Sequence, residues 1–268
     1  MTKRVALIGR PLNRRHSEVM HNAAFEHFGI DATYERRQLE HDEMEGFVAE
    51  ARGDDWLGFQ VTAPYKKAVM EHLDIIEDDA RSIGAVNSVV RGDDGLLTGF
   101  NTDAPGFRRA AEDELGIRFE GITAAVAGAG GAARAVVHAL VEAGAEEVTV
   151  GNRTASRAVD LAEDFGVSGW DLGAGFRDAL AGVDLAVNAT TVGMHSAGAP
   201  FDVGDLPESA SVYDLVYEPS PSELLRQATA RGLRTANGLG MLVAQAEIAF
   251  ERWTGIAGAG EVMRAALE

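Results

Sequence analysis

The chain has 268 residues, enough to bury one large core or two smaller ones, and its 46% hydrophobic and 25% charged content is that of a globular rather than a disordered protein. A formal net charge of -18 at pH 7, from 42 acidic against 24 basic residues, repels a phosphate backbone and argues against nucleic acid as a partner. Cysteine is absent, which excludes disulfides, thiolate metal sites and a cysteine nucleophile.

The opening MTKRVALIGRPLNRR carries a five-residue apolar run, too short for the core of a signal peptide. Strand-like and helix-like runs then alternate: VALIG, SEVMHNAAFEHFG, ATYERRQL, DEMEGFVAEARG, GFQVT and a helix-like YKKAVMEHL. This order predicts a mostly parallel sheet with helices on its faces. After VNSVV and LLTGFN, the helix-like DAPGFRRAAEDELG leads to ITAAVAG, where a second series begins and runs through EVTVGN, ASRAVDLAEDFG, LAVNAT and SVYDLVY. Two α/β domains fit this pattern better than one. The closing GMLVAQAEIAFERWTG and EVMRAALE are helical in pattern; they either complete the second domain or return to cover the first. The most apolar stretch, ITAAVAGAGGAARAVVHAL, is broken by glycines and Arg134, so no membrane span is expected and a cytoplasmic location follows. The acidic surface fits either a high-salt or a GC-rich source.

Strand-like ITAAVA runs into Gly128, Ala129, Gly130, Gly131, Ala132 and Ala133 and then into the helix pattern ARAVVHALVEAG. This is G-x-G-x-x-A in a strand-turn-helix setting. There the first glycine permits the turn, the second lets the backbone approach a pyrophosphate, and the small last residue lets the helix pack closely. Helix N-terminal N–H groups complete a phosphate site. An NAD site would place a carboxylate after the next strand; here EVTVGN is followed by Asn152, Arg153 and Thr154, with Arg157 further on. A carboxylate would repel a 2′-phosphate that two guanidiniums can grip, so NADP is the expected cofactor.

Oxidation of an alcohol by a nicotinamide also requires removal of the hydroxyl proton. No Cys/His cluster offers a metal, and none of Tyr34, Tyr65, Tyr213 and Tyr217 has a lysine four residues on. Only three of the 24 basic residues are lysines, and two of them, Lys66 and Lys67, stand together after GFQVT. They are the lysine candidates. The carboxylate candidate is Asp103 in GFNTD, at a strand end near the domain junction, although Pro105 and Gly106 behind it also suit a plain helix N-cap.

GFQVTAPYKK, GAVNSVV, GFNTD, AGAGGAARA, GNRTASRA, NATTVGM, YDLVYEPSPSELL and NGLGMLVAQAEIAFERWTG follow one another in the order found in the shikimate dehydrogenase family, which the chain resembles over nearly its whole length. The resemblance implies a two-domain α/β fold: a substrate-binding and catalytic domain over 1–103, a Rossmann-type NADP-binding domain over 104–236, and C-terminal helices over 237–268 that return to the first. It implies interconversion of shikimate and 3-dehydroshikimate by a monomer or homodimer. Lys66 is then the catalytic lysine with Asp103 its partner, a position where a compact titratable ammonium suits and a guanidinium does not. Lys67 is a solvent-facing neighbour. Thr62, Asn87 and Gln245 fall on substrate-binding positions, Tyr217 and Met241 near substrate and nicotinamide, and Thr190 among the cofactor contacts.

Two departures concern the substrate. The family's G-x-P-x-x-H-S-x-S-P-x-x-H-N uses two serines for the substrate carboxylate; counted from Pro11, this chain has Arg14 and Arg15 for the His-Ser pair, Ser17 for the second serine, then Glu18, His21 and Asn22. Arg15 either forms a charge-assisted pair with the carboxylate or swings to solvent, leaving Ser17 alone. Gln60 stands where the family has an asparagine that contacts substrate hydroxyls, and it either reaches the same hydroxyl or reshapes the pocket. A paralogue acting on quinate, an aminoshikimate or a related cyclic polyol carboxylate is the alternative within the enzyme class. A non-catalytic NADP-binding sensor is the alternative outside it, and the retained lysine and aspartate argue against it. A methylene-tetrahydrofolate dehydrogenase also joins a lysine to a Rossmann domain but lacks this collinear set.

Overall fold

Strands β1 (Lys3–Gly9), β2 (Ala32–Gln38), β3 (Trp56–Val61), β4 (Ile75–Ile76), β5 (Ser88–Arg91) and β6 (Leu97–Phe100) form one sheet in the order β2-β1-β3-β5-β6-β4. In this computed structural model, which describes residues 1–194 and 197–268, helices α1 (His16–His27), α2 (Met44–Glu50) and α3 (Asp78–Ile83) connect those strands. The sheet is mixed rather than mostly parallel: β1 pairs parallel with β2 and β3, but β5 runs antiparallel to both β3 and β6. The cause is the short GDDGL link between β5 and β6. Gly95 takes φ +80° there and Gly92 N–H bonds the Leu96 carbonyl at 2.8 Å, a tight hairpin with no length for a helical crossover.

The helix expected over YKKAVMEHL is also shorter than the pattern suggests. Turns lead from Ala63 to a single 3-10 segment, Ala68–His72. The Lys66 carbonyl, which a continuing helix would use, accepts the backbone N–H of Val86 at 2.8 Å instead.

The second sheet is built from β7 (Thr123–Ala127), β8 (Glu147–Asn152), β9 (Ser168–Asp171), β10 (Leu185–Asn188), β11 (Ser211–Asp214) and β12 (Arg234–Asn237), in the order β12-β11-β10-β7-β8-β9 with every pair parallel. Helices α4 (Asp103–Leu115), α5 (Gly131–Glu142), α6 (Ala155–Phe165), α7 (Ala174–Leu180) and α8 (Glu223–Ala230) accompany it. Strand order reverses between β7 and β10, and such a switch point is where open α/β sheets carry ligands.

The chain closes with α9 (Leu239–Thr254) and α10 (Gly260–Ala265). It divides into two units, Met1–Asp103 with Leu242–Glu268, and Ala104–Met241. Val243, Ala246, Phe250 and Trp253 repeat at helical spacing along α9 and join Met263 in a core with Val5, Met20, Phe25 and Tyr34 of the first unit. Trp253 crosses to the sheet, where its Nε1 donates to the Val89 carbonyl at 2.9 Å. Gly58 on β3 makes room: at φ +155°, an added Cβ would meet the Val89 oxygen and the indole nitrogen.

His21 on α1 is fully buried within the same aromatic group, stacked on Tyr34 with ring centroids 4.6 Å apart. The Gln60 amide lies near enough to favour the charged ring slightly, but neither ring nitrogen has a hydrogen bond of good geometry, and burial pushes the pKa from 6.5 down to about 3. The unfolded state therefore binds a proton that the folded state refuses between pH 6.5 and about 3, and stability drains as pH falls through that window. Urea midpoints at pH 7 and pH 4.5 should show the wild type losing about 2–3 kcal/mol more than His21→Leu, the variant cancelling the shared carboxylate titrations.

Candidate active site

The register of the first sheet aligns Gln60 on β3, Ser88 on β5 and Phe100 on β6, so the residues just past them emerge at one end. Those residues are Thr62 to Lys66, Asn87, and Asn101 to Asp103. Tyr65 pins the first loop by donating its hydroxyl to the Leu39 carbonyl at 2.7 Å. Beside it, Lys66 Nζ donates to Asp103 Oδ2 at 2.5 Å, with the two side chains only 18% and 10% exposed. Asp103 begins α4, and Asn101 Oδ1 accepts its backbone N–H at 2.9 Å.

Asn87 meets the other carboxylate oxygen. Its Nδ2 donates to Asp103 Oδ1 at 2.8 Å and to Thr102 Oγ1 at 2.9 Å, while its Oδ1 accepts the Thr102 backbone N–H at 2.8 Å. Thr102 Oγ1 also lies 3.4 Å from Gln245 Oε1. Gln245, on α9, accepts from Gln60 Nε2 at 2.9 Å and donates its own Nε2 to the Leu242 carbonyl at 2.8 Å. Gln60 Oε1 in turn accepts the Tyr34 hydroxyl at 2.7 Å, and Tyr34 is further hydrogen-bonded to Ser17, with burial holding its pKa above the usual phenol range. A single network thus joins Ser17, Gln60, Asn87, Asp103, Gln245 and Lys66.

Thr102, Tyr34 and His21 are members or walls of this group that the sequence did not single out as such. Thr102 lay in view inside GFNTD. Tyr34 is the one fully inward residue of edge strand β2, and nothing local marks it. Thr62 sits beside the group, half-buried, its backbone N–H on the Ile8 carbonyl. Arg15 stands apart: its side chain is 67% exposed and its guanidinium donates to both Glu18 oxygens at 3.2 Å, while Arg36 holds Glu18 from the other side at 2.7 Å. Lys67 is exposed.

In the second unit, the β7–α5 turn has the form expected of a phosphate loop. Gly128 takes φ +124°, and a Cβ there would lie 2.7 Å from the Ala189 carbonyl at the end of β10. Gly130 is exposed and a Cβ on it would meet nothing within 4 Å, so its backbone faces open space at the start of a 12-residue helix whose first turn has no side-chain cap and no acidic residue. Ala129, Gly131 and Ala132 are half-exposed around it, and Ala133 is buried against the sheet. These features suit an anionic pyrophosphate on the helix N-terminus. Arg153, Thr154 and Arg157 are exposed where β8 gives way to α6, and Asn152 Nδ2 donates to the Thr154 carbonyl at 3.0 Å.

Beside the loop, buried Asp214 takes Asn188 Nδ2 at 2.8 Å, the Val216 N–H at 3.0 Å and the Ser222 hydroxyl at 2.5 Å, and burial raises its pKa. Asn188 Oδ1 then holds both the N–H and the hydroxyl of Thr190. Tyr217 is half-buried on the segment after β11, and Met241 is buried on α9.

Models of the shikimate dehydrogenase substrate binding domain, of shikimate / quinate 5-dehydrogenase and of the shikimate 5'-dehydrogenase C-terminal domain match residues 7–89, 109–195 and 238–268. A shikimate dehydrogenase (NADP(+)) of Methanopyrus kandleri is 41% identical over 280 residues, covering 99% of this chain and 95% of the relative. The chain belongs to the shikimate dehydrogenase family. Among solved structures, shikimate 5-dehydrogenase of Thermus thermophilus in complex with NADP(H) and shikimate is similar with a TM-score of 0.90 and 40% identity, covering 98% of each chain. Quinate dehydrogenase of Corynebacterium glutamicum in complex with NAD has a TM-score of 0.92 and 34% identity, with 99% of this chain and 98% of that one covered. The two-domain α/β fold with a Rossmann-type sheet is the family's. Among the described residues no helix is long and apolar enough to cross a membrane.

The two glycines of the phosphate loop should behave oppositely toward a methyl group. Gly128→Ala has both a positive φ and a carbonyl in its way and should cost about 1–3 kcal/mol in denaturant titration. Gly130→Ala should cost less than about 0.5 kcal/mol, since its methyl enters open space.

Proposed function

We propose that this chain is an NADP-dependent shikimate dehydrogenase of the cytoplasm that interconverts shikimate and 3-dehydroshikimate. The observation that carries the reading is the 2.5 Å pairing of Lys66 Nζ with Asp103 Oδ2, held in a largely buried network that already contains Asn87 and Gln245. NADP+, when bound, accepts the hydride from the carbinol carbon, and NADPH returns it in the reverse direction. The Gly128–Ala132 loop and the N-terminus of α5 hold the pyrophosphate, with Asn152, Arg153, Thr154 and Arg157 around the 2′-phosphate and Thr190 and Met241 completing the cofactor contacts.

The dyad handles the hydroxyl. Lys66 and Asp103 are its hydrogen-bonding partners, and the pair takes up the proton as the alcohol becomes a ketone, then restores it on reduction. Asn87 keeps Asp103 facing that hydroxyl by occupying Oδ1, so Oδ2 and the Lys66 ammonium form one unit. A guanidinium at position 66 would fail here, because it does not release a proton in this pH range.

Ser17 is the inner contact for the substrate carboxylate. Arg15, largely exposed and with its Nε and Nη2 on Glu18, contributes only at the rim. Thr62, Gln245 and Tyr217 complete the substrate contacts.

NADPH absorbance with purified protein, NADP+ and shikimate tests the reading, with quinate and NAD+ as comparison arms. Lys66→Ala and Asp103→Asn should each lower kcat by at least about a hundredfold while NADP+ binding stays within twofold. Arg153→Ala together with Arg157→Ala should raise the KM for NADP+ about tenfold or more and leave that for NAD+ nearly unchanged. Turnover that survives loss of Lys66 would sink the assignment of the dyad.

A further inference from the structure

We propose that Gln60 is a positioning residue, not a substrate ligand: it braces Gln245 in the polarity that the Leu242 carbonyl sets, passes that polarity on to Tyr34, and recognition of the substrate hydroxyls passes through Gln245. The proposal rests on the dehydrogenase reading above. Its anchor is a backbone carbonyl. Leu242 O can only accept, so the Gln245 amide must turn its Nε2 toward it, at 2.8 Å. Gln245 Oε1 then points at Gln60 and demands a donor, which Gln60 Nε2 supplies at 2.9 Å. With its nitrogen on that side, Gln60 presents Oε1 to Tyr34, whose hydroxyl must donate, at 2.7 Å. The Tyr34 oxygen is left to accept from Ser17 until the substrate carboxylate claims that hydroxyl.

Each link is therefore oriented by the one before it, and only a side chain with both an amide donor and an amide acceptor can stand in the middle. Gln60 is 3% exposed and held at both ends, so its amide is turned inward. Among the described residues, Gln245 keeps one N–H uncommitted and its amide cannot flip, since a flip would face oxygen to oxygen at Leu242 and nitrogen to nitrogen at Gln60. The extra methylene relative to asparagine is what lets one amide meet both Tyr34 on β2 and Gln245 on α9.

The test is a double-mutant cycle on the full chain, with steady-state constants for shikimate and NADP+ and calorimetric binding of shikimate and quinate. Gln60→Met and Gln245→Met should each raise the shikimate KM about tenfold with kcat changing less than about threefold and the NADP+ KM unchanged. The double variant should be no more than about twofold worse than Gln245→Met alone, because Gln60 acts through Gln245. Multiplied effects, near a hundredfold, would overturn the proposal and make Gln60 an independent contact. Should Gln60→Met fail to fold, Gln60→Leu, which likewise removes the amide, takes its place in the cycle with the same two outcomes. A wild-type protein that neither turns over nor binds shikimate or quinate overturns the functional reading and the proposal with it; additivity in an active enzyme overturns the proposal alone.

Discussion

A carboxylate withdrawn from water must be given a cation and hydrogen-bond donors, or its burial costs several kcal/mol. Asp103 imposes that requirement on the first unit. Lys66 meets one oxygen and Asn87 the other, while Asn101 holds the Asp103 backbone N–H. To bring those three residues together, the loop after β3, the start of β5 and the end of β6 must reach the same edge of the sheet. Antiparallel pairing of β5 with both neighbours achieves this, since it lines the beginning of one strand up with the ends of two others. The mixed sheet and the dyad are consequences of the same short hairpin.

The return of α9 to the first unit follows a related logic. Its apolar stripe needs a partner, and the aromatic group around Phe25, Tyr34 and Phe250 provides one. The same helix carries Gln245 into the polar network, so the packing and the network are set by one element. Gly58 and Trp253 fix its distance from the sheet. The cost of this dense arrangement is His21, which occupies an aromatic position without a hydrogen bond of good geometry and makes the unit sensitive to acid.

Much of this was legible in the sequence because the phosphate loop, the dyad and the α9 face are local patterns. Glycine spacing after a strand requires a positive φ at Gly128 and open space at Gly130, and both are found. The scarcity of lysine pointed to Lys66 or Lys67, and the family resemblance chose Lys66 with Asp103, in a second short motif, as its partner. What did not read out depends on tertiary hydrogen bonds. YKKAVMEHL has helical spacing, but Val86 captures the carbonyl that would continue the helix. The direction of β5 depended on a five-residue link, and a strand's periodicity carries no sign of whether its neighbours run with it or against it. Tyr34 and Thr102 enter the network through partners 15 to 26 residues away, a distance no local pattern spans.

The departure at position 15 illustrates why a residue's type does not fix its role. An arginine in place of a serine suggests a stronger grip on a carboxylate, yet a carboxylate is already available one turn along the helix. Glu18, shared between Arg15 and Arg36, neutralises much of the added charge in a chain whose surface is strongly acidic. An exposed pair of this kind is weak and screened by salt, so an incoming anion competes with Glu18 on nearly equal terms. The inner part of the network is governed differently. Buried amides cannot turn to water for a missing partner, so the order of donors and acceptors from Leu242 to Tyr34 is enforced by desolvation. A polar network at that depth survives changes of salt that would erase a surface ion pair, which matters in a chain carrying a net charge of -18.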